Sequence, residues 1–292
     1  MKHTHQQKEL EVQDLYGDIH RLHGDDWQVI GAVPMTTIWE EPADTFKEKL
    51  ILEAGCGGIG SETRGLLKQE PSFLCSLDLT HENLVAVRNK IGDQLPVRFI
   101  RGSILTLPFE DAAFDVVFCK GVIQHLSDPF KGLAELTRVL KPGGKIFISV
   151  YSKGGLLSFF SLRLKGVFRR FVPLSVAKRI FSVFFSDALL SGVLDHLYVP
   201  FEYRFSKKEL LDSYASLGLE QPEFVWHEVD FKRGINSVVN YSGRFSRFWF
   251  TYLNPNSANR VRWLSNVLYG EAGLDLKAVK STAQIERGPA HG

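Results

Sequence analysis

The sequence has little cysteine and no marked excess of charge of either sign. Its three cysteines, Cys56, Cys75 and Cys119, form no C-x-x-C pair, so neither a disulfide framework nor a cysteine zinc site is expected, and a reducing compartment is indicated. The histidines show no metal-ligand spacing either, and no metal cofactor is expected. The formal net charge of +2 argues against a dedicated nucleic-acid-binding protein, because such a protein carries a clear basic excess.

Long hydrophobic runs are also missing. No apolar stretch is long enough to cross a membrane, which takes about 20 residues. The N-terminal MKHTHQQKELEVQ contains no apolar core of a signal peptide, and we therefore expect a cytoplasmic protein. Of the 292 residues, 44% are hydrophobic and 23% are charged, a balance typical of a globular protein with one large domain or two small ones.

Between Lys49 and Tyr151, short apolar runs alternate with amphipathic ones. The strand-like runs are KLILEAG, SFLCSLD, VRFIRG, FDVVFCKG and GGKIFISVY, and the helix-like runs are SETRGLLKQ, HENLVAVRNKI and PFKGLAELTRVL. Thr80 is predicted to cap the second helix, and Pro129 to begin the third. Because strand–helix–strand crossovers are right-handed, this order predicts an α/β fold with a doubly wound, mostly parallel sheet and helices on both faces.

The rest of the chain can be divided into segments by composition and hydrophobic pattern. Residues 1–45 predict an N-terminal extension of short helices and loop, which could cover an active site. Residues 46–152 are predicted to form the binding core, residues 153–200 a helical insert, and residues 201–280 the completion of the sheet with C-terminal packing. Residues 281–292 predict a flexible tail.

The segment after the insert carries clear signals for the ends of a helix. In SKKELLDSYASLG, Ser206 and Glu209 have the spacing of a capping box, which marks the start of a helix. Gly218 is a natural C-terminal stop. The following EFVWHEV predicts another strand.

A glycine-rich turn follows the first predicted strand. Gly55, Gly57 and Gly60 fit G-x-G-x-x-G, which either lets the backbone approach a nucleotide or merely lets a helix pack on a strand. Glu53 would oppose the pyrophosphate of a dinucleotide but would pair with the cationic ammonium and sulfonium of S-adenosylmethionine (SAM). Asp78 ends the second strand, where an acid accepts hydrogen bonds from ribose hydroxyls; the alternative is a helix-capping aspartate that points at solvent. The two acids together favour SAM over NAD.

Residues 48–151 resemble the core of the class I (Rossmann-like) SAM-dependent methyltransferases, in the subgroup that acts on small molecules. The similar segments are LEAGCGGIG, SLDLT, GSILTLPFEDAAFDVVFCKGVIQHLSDP, ELTRVLKPGGKIFIS and, later, FEYRFSKKELLDSYASLGLE. The resemblance implies a seven-stranded sheet that ends in an antiparallel hairpin. It also implies that SAM lies across the carboxyl ends of the strands and leaves as S-adenosylhomocysteine.

The resemblance also assigns the cofactor contacts. It implies that Glu53, Gly55 and Gly57 line the methionine part of SAM, that Asp78 takes the ribose hydroxyls and that Leu79 packs on the adenine.

The sequence departs from the family at Ser103. Many members have an acid there that receives the adenine amino group, and Ser103 with the Ile104 backbone would have to substitute through weaker bonds. Lys120 follows the fourth strand, where its head group could pair with the SAM carboxylate. The alternative for Lys120 is an ordinary solvated lysine.

Methyl transfer from a sulfonium is an in-line displacement, so the protein mainly has to align the reactants in a dry cleft. An oxygen acceptor also benefits from a general base, whereas an amine often does not. His125, in GVIQHL just after the fourth strand, is the best-placed candidate base. The family often has a histidine there for helix packing, and both roles stay open. Candidates without a motif are His196, Tyr203, Glu202, Tyr16, His20 and His23.

The stretch 156–186 contains six basic residues and no acidic one. It predicts two helical pieces divided at Pro173. We favour a Phe- and Leu-rich lid over an apolar or aromatic acceptor; the alternative is a pair of interfacial helices on anionic lipid, with a lipid or polyprenyl acceptor. The aromatic and arginine residues of Tyr241–Tyr252 could stack nucleic-acid bases, but the small net charge argues against that.

The sequence therefore predicts a SAM-dependent methyltransferase without a metal. Its acceptor is expected to be a small organic molecule of secondary metabolism, methylated on oxygen or, as second choice, on nitrogen. A methyltransferase at the membrane surface and a non-catalytic SAM-binding regulatory module are the alternatives. We expect a monomer or homodimer that does not bind nucleic acid.

Overall fold

The structure, a computed structural model, describes residues 10–16, 35–92, 96–153, 165–183, 190, 194, 197–225 and 273–282. The strands are β1 (Leu50–Ala54), β2 (Phe73–Asp78), β3 (Val97–Arg101), β4 (Phe114–Lys120), β5 (Leu140–Tyr151), β6 (Leu219–Val225) and β7 (Gly273–Lys280). The helices are α1 (Met35–Ile38), α2 (Ser61–Leu67), α3 (His81–Ile91), α4 (Pro129–Val139), α5 (Leu174–Phe181) and α6 (Lys207–Ser216). Residues 10–16 and 165–171 are also helical.

The seven strands form one sheet in the order β3-β2-β1-β4-β5-β7-β6. The first five are parallel, and β7 runs antiparallel between β5 and β6. This confirms the predicted α/β fold, including the antiparallel pair at one end. The strand order reverses at β1, which lies between β2 and β4, and a ligand is expected at the carboxyl ends of the strands there.

Helices cover both faces of the sheet, which explains why the central strands are apolar on both sides. Leu52 and Ile148 face the side that also buries residues of α4 and α6. The other face buries Ile51 and Phe147 together with Trp39, whose ring meets Phe147 edge-on at 5.2 Å. Successive residues of a strand point to opposite faces, so both helix layers are needed to bury the central strands.

The predicted helix ends are found, with one difference in how they are held. Ser206 and Glu209 form the predicted capping box, and Pro129 stands in the first turn of α4. Thr80 is the N-cap residue of α3, but its side chain makes no capping hydrogen bond. Its backbone N–H instead donates to Asp78 Oδ1 at 2.8 Å, so Asp78 holds the start of α3.

The described part of the insert has two helical pieces separated at Pro173, as predicted. Their inner side packs against the N-terminal helical residues 10–16, because Ala177 shares a buried cluster with Leu15 and Tyr198. Two residues of this region, Lys165 and Glu202, form an ion pair at 2.7 Å. In the part of the chain that the structure describes, no helix is both long and apolar enough to span a membrane.

Candidate active site

The carboxyl ends of β1, β2 and β4 open into a cavity of about 300 Å³. This volume lies at the lower end of the range for pockets that hold cofactors and small molecules. The predicted cofactor residues on its wall are Gly55, Gly57, Asp78, Leu79, Ser103, Ile104 and Lys120. Among the described residues that form the wall, Glu53 does not occur.

The glycine loop serves both of the roles that its pattern left open. Gly55 and Gly57 line the cavity with φ angles of 86° and 60°, which L side chains rarely adopt. A Cβ on Gly55 would also lie 2.4 Å from Val122 Cγ2. Gly60 instead lets a helix approach, since a Cβ there would lie 2.9 Å from Val87 Cγ1 of α3. The first two glycines thus shape the cavity, and the third allows packing.

Asp78 connects the loop, the end of β2 and the start of α3. Its Oδ2 accepts a hydrogen bond from the Gly57 N–H at 2.9 Å. Its Oδ1 accepts from the Thr80 N–H at 2.8 Å and from Asn83 Nδ2 at 3.2 Å. The side chain does cap a helix, yet it is buried on the cavity wall, so the alternative of a solvent-facing carboxylate is wrong.

Glu53 lies away from the cavity wall, contrary to the prediction that it lines the methionine part of the cofactor. It pairs in register with Ser76 of β2, and its Oε2 accepts a hydrogen bond from the Ser76 hydroxyl at 2.6 Å. Only 2% of the residue is exposed, and burial raises the pKa of its carboxyl to about 8. This raised pKa favours the neutral acid inside the sheet, so Glu53 is a poorer source of negative charge than an ordinary glutamate.

A different carboxylate, Glu62 in the first turn of α2, lies on the cavity wall. Its Oε1 is 3.0 Å from Lys120 Nζ, and it also accepts a hydrogen bond from the Ser61 hydroxyl. Burial opposes ionisation of Glu62, but the Lys120 charge and these hydrogen bonds hold its pKa below the usual range. Lys120 is therefore paired with Glu62 on the cavity wall, while 44% of its side chain stays exposed to solvent.

Sequence reasoning missed Glu62, although a signal was present. An acid in the first turn of the helix that follows a glycine loop would repel a phosphate bound there. That argument is the same as the one applied to Glu53.

The opposite wall consists of the loop after β3. Ser103 caps the short turn Ile104–Thr106, and its Oγ accepts a hydrogen bond from the Leu105 N–H at 3.2 Å. Ser103 and Ile104 line the cavity, as does Leu79 after β2. The Ser103 hydroxyl keeps its own hydrogen atom for donation, because it only accepts in this contact.

His125 lies on the cavity wall in a fixed orientation. Its Nδ1 is 3.0 Å from the carbonyl oxygen of Phe201, and since a carbonyl can only accept, Nδ1 carries the proton. In the neutral ring, Nε2 is then the nitrogen with the lone pair. Tyr16 and Tyr151 meet the ring edge-on at 5.6 and 5.4 Å, so both predicted roles of His125, packing and proton transfer, agree with its surroundings.

The candidates without a motif lie in several places. Tyr16 reaches the cavity wall together with Val12 from the N-terminal helical residues. Glu202 is tied to Lys165 and Arg204 at 2.7 and 2.6 Å, away from the wall.

Tyr203 also lies away from the wall, and its hydroxyl donates to Glu209 at 3.0 Å. His20, His23, His196 and the segment Tyr241–Tyr252 lie outside the described residues.

The insert does not form the cavity wall in the part of it that the structure describes. The cover comes from Val12 and Tyr16, while Ala177 and Leu174 of the insert support the helical residues 10–16 from behind. No group of three or more metal-ligating side chains occurs among the described residues.

Comparison with known proteins identifies the core. Residues 52–148 match a family described as a methyltransferase domain. The chain contains a class I, Rossmann-like methyltransferase domain. This domain includes the glycine loop, Asp78, Lys120 and His125. Most residues of the cavity wall therefore belong to the matched range.

The methyltransferase domain is similar to that of proteins with different acceptors. It is 42% identical over 110 residues to demethylmenaquinone methyltransferase of Deinococcus radiodurans, a match that covers 37% of this chain and 45% of that protein. It is 36% identical over 106 residues to malonyl-[acyl-carrier protein] O-methyltransferase of Serratia marcescens, covering 36% of this chain and 40% of that protein. The matches thus span less than half the length of these relatives.

A solved structure supports the same fold over more of the chain. Phosphoethanolamine N-methyltransferase 2 of Haemonchus contortus, in complex with phosphomonomethylethanolamine and S-adenosylhomocysteine, superposes with a TM-score of 0.50 at 21% identity. The superposition covers 82% of this chain and 51% of that one.

Proposed function

We propose that the protein transfers a methyl group from SAM to a small apolar or aromatic acceptor in the cytoplasm, as a monomer or homodimer. The observation that carries the proposal is the cavity at the carboxyl ends of β1, β2 and β4, which has Gly55, Gly57 and Asp78 on its wall. If the cofactor binds at these three residues, the part of the cavity beside His125 is left for the acceptor.

The residues present fit SAM. Gly55 lies on the wall without a side chain, which leaves bare backbone for the methionine part to approach. Asp78 accepts three hydrogen bonds at present and has capacity for a ribose hydroxyl, because a carboxylate offers about four lone-pair positions. Leu79 and Ile104 provide apolar contact for the adenine. SAM, when bound, supplies a methyl group on a cationic sulfur.

Glu62 and Lys120 suit the amino-acid end of the cofactor. Opposite charges 3.0 Å apart on the same wall match an ammonium beside a carboxylate. We assign to Glu62 the charge pairing that the sequence assigned to Glu53, and to Lys120 the pairing with the carboxylate.

The acceptor side is mainly apolar and aromatic. Val12, Tyr16, Val122 and Leu126 lie there around His125. Such a wall favours an apolar or aromatic acceptor and excludes water from the reacting atoms. Oxygen is our first choice of acceptor atom, because His125 can then take the hydroxyl proton, and nitrogen is the second.

The orientation of His125 supports the role of a base. The bond from Nδ1 to the Phe201 carbonyl stabilises the ring when Nε2 gains a proton, as a polar partner does behind other catalytic histidines. The relatives do not decide the acceptor atom, since one is named an O-methyltransferase and one an N-methyltransferase.

Calorimetric titration of the full chain tests the cofactor. We expect binding of SAM and S-adenosylhomocysteine and none of NADH. Turnover with any member of a panel of phenols, carboxylates and amines then separates an enzyme from a non-catalytic SAM-binding module. Absence of SAM binding would overturn the proposal.

A further inference from the structure

The two helical pieces of the insert both carry large apolar side chains that are exposed. Five of the eight exposed large hydrophobic residues of the described part of the chain lie here. We call these five the outer stripe: Val167, Phe171, Val176, Ile180 and Val183. Phe171 and Val183 are 71% and 77% exposed, values far above those of buried core residues.

The part of the outer stripe on α5 borders the face with which the insert packs on the protein. In α5, Leu174, Ala177 and Phe181 belong to the cluster formed with the N-terminal helical residues. Val176 and Ile180 lie one turn apart at the edge of that packed face, because residues four apart stack along a helix and Ile180 is about 60° from Ala177 around the axis. Ser175, Lys178 and Arg179 occupy the remaining arc, so the apolar face of α5 is wider than the part of it that is packed.

Basic residues border the outer stripe. Arg170 precedes Phe171 in sequence and lies over its ring at 5.8 Å. Arg179 directly precedes Ile180 in α5. No carboxylate among the described residues pairs with Arg170 or Arg179. By contrast, Arg169 pairs with Glu11 at 3.2 Å and holds the insert to the N-terminal residues.

We propose that the outer stripe docks the protein on an anionic phospholipid surface. Interfacial helices combine an apolar face that enters the boundary of headgroups and acyl chains with basic residues at the level of the phosphates. The insert supplies both, and all of its charges over residues 156–186 are positive. A membrane needs only apolar area and positive charge, whereas a specific protein partner also needs directional polar groups, which the stripe lacks.

Docking would connect the lipid surface to the cavity through one intervening helix. The insert packs on the helical residues 10–16 through Leu15, and Val12 and Tyr16 of that helix line the cavity. Binding to lipid does not depend on methyl transfer, so it can be tested whether or not the proposed function holds. A lipid-dissolved acceptor is the consequence that rests on the proposed function.

Co-sedimentation of the full chain with vesicles tests the docking. We expect binding to vesicles of phosphatidylcholine mixed with phosphatidylglycerol, weak binding to phosphatidylcholine alone, and loss of the difference at high salt because ions screen the charges. Equal sedimentation with both kinds of vesicle, or none with either, would overturn the proposal.

Matched variants show whether the outer stripe makes the contact. Phe171→Ser with Val183→Ser should lower partitioning by about tenfold or more. Arg179→Gln should lower it about fivefold on anionic vesicles only. The controls are Val85→Ser on α3 and Arg98→Gln on β3, which remove an exposed valine and an exposed arginine elsewhere, and we expect them to bind like the wild type.

Self-association is the competing use of an exposed apolar face. Light scattering of the wild type and of the Phe171→Ser, Val183→Ser variant separates the two. An unchanged mass together with weaker lipid binding supports docking. A change from dimer to monomer with unchanged lipid binding would overturn it and assign the stripe to a second copy of the chain.

Discussion

The carboxylate of Asp78 and the backbone N–H of Gly57 are joined by a hydrogen bond of 2.9 Å. This bond links the end of β2 to the glycine loop after β1, two elements that are far apart in sequence and adjacent on the cavity wall. Asp78 therefore does two things at once. It shapes the loop, and it lies on the cavity wall, where we propose that it binds the ribose.

Replacing Asp78 tests the cofactor position. We expect Asp78→Ala to weaken SAM binding by about 1–3 kcal/mol, the range for losing hydrogen bonds to a charged group. Calorimetry measures the change, and Asp212→Ala, which removes an exposed carboxylate of α6, serves as the control. An Asp78→Ala protein that binds SAM as tightly as the wild type would defeat this placement.

The glycine loop can be tested with two glycines that both have a positive φ. Gly55 and Gly92 have φ angles of 86° and 82°, so alanine costs about 1–3 kcal/mol of strain at either position. A Cβ meets Val122 at Gly55 and open space at Gly92. We expect Gly55→Ala to cost about 1–3 kcal/mol more free energy of unfolding than Gly92→Ala, from the added overlap.

Denaturant titration of both proteins measures this difference. Adding Val122→Ala to Gly55→Ala should restore part of the loss, because it removes the two methyl groups that the Cβ would meet. If Gly55→Ala and Gly92→Ala are equally stable, the close approach of the loop to Val122 is wrong.

The pairing of Lys120 with the amino-acid end of the cofactor predicts a ligand-dependent loss. We expect Lys120→Gln to weaken S-adenosylhomocysteine binding by about 1 kcal/mol, as for a half-exposed ion pair. Binding of methylthioadenosine, which lacks the amino-acid end, should stay the same. Equal losses for the two ligands would show that Lys120 acts through the cavity shape instead.

The parallel part of the sheet could be predicted because each of its strands is a compact apolar run between turn residues. Strand β7 was missed, although Leu274, Leu276 and Ala278 alternate with Asp275 and Lys277, the pattern of a strand with one buried face. Lys277 is buried only because Glu41 lies 3.1 Å away and the Trp39 carbonyl 3.0 Å away. Those partners lie near the other end of the chain, and no local pattern reveals them.

The site shows the same limit. A motif predicts which residues lie near the carboxyl ends of the strands. Gly55, Asp78 and His125, which were predicted in this way, do line one cavity. A motif does not predict which way a side chain at the edge of the sheet points. The Glu53 side chain points into the sheet and contacts Ser76, whereas Glu62 lies on the cavity wall.

The burial of Glu53 predicts a pH dependence of stability. Its pKa is about 8 in the folded protein against 4.5 for an ordinary glutamate, so the folded state keeps a proton that the unfolded state releases. This contribution to stability is complete below about pH 4.5 and is lost as the pH rises to about 8.

Glu53→Gln isolates this effect, because the amide stays neutral. We expect the stability of Glu53→Gln to rise relative to the wild type by up to about 1.4 kcal/mol per pH unit between those limits. Urea denaturation at a series of pH values measures it, with Glu110→Gln at an exposed position as the control. Parallel pH curves for Glu53→Gln and the wild type would contradict the buried neutral acid.

His125→Asn separates the two roles of this histidine. The asparagine amide can still donate to the Phe201 carbonyl, which Nδ1 of His125 contacts at 3.0 Å, while the nitrogen that would take a proton is gone. If His125 is the base for an oxygen acceptor, turnover should fall by about 100-fold or more with SAM binding and melting temperature unchanged. Activity should recover at high pH, where the acceptor hydroxyl ionises by itself. His81→Asn, at the exposed start of α3, is the control, and a loss below about tenfold in His125→Asn would assign His125 to packing.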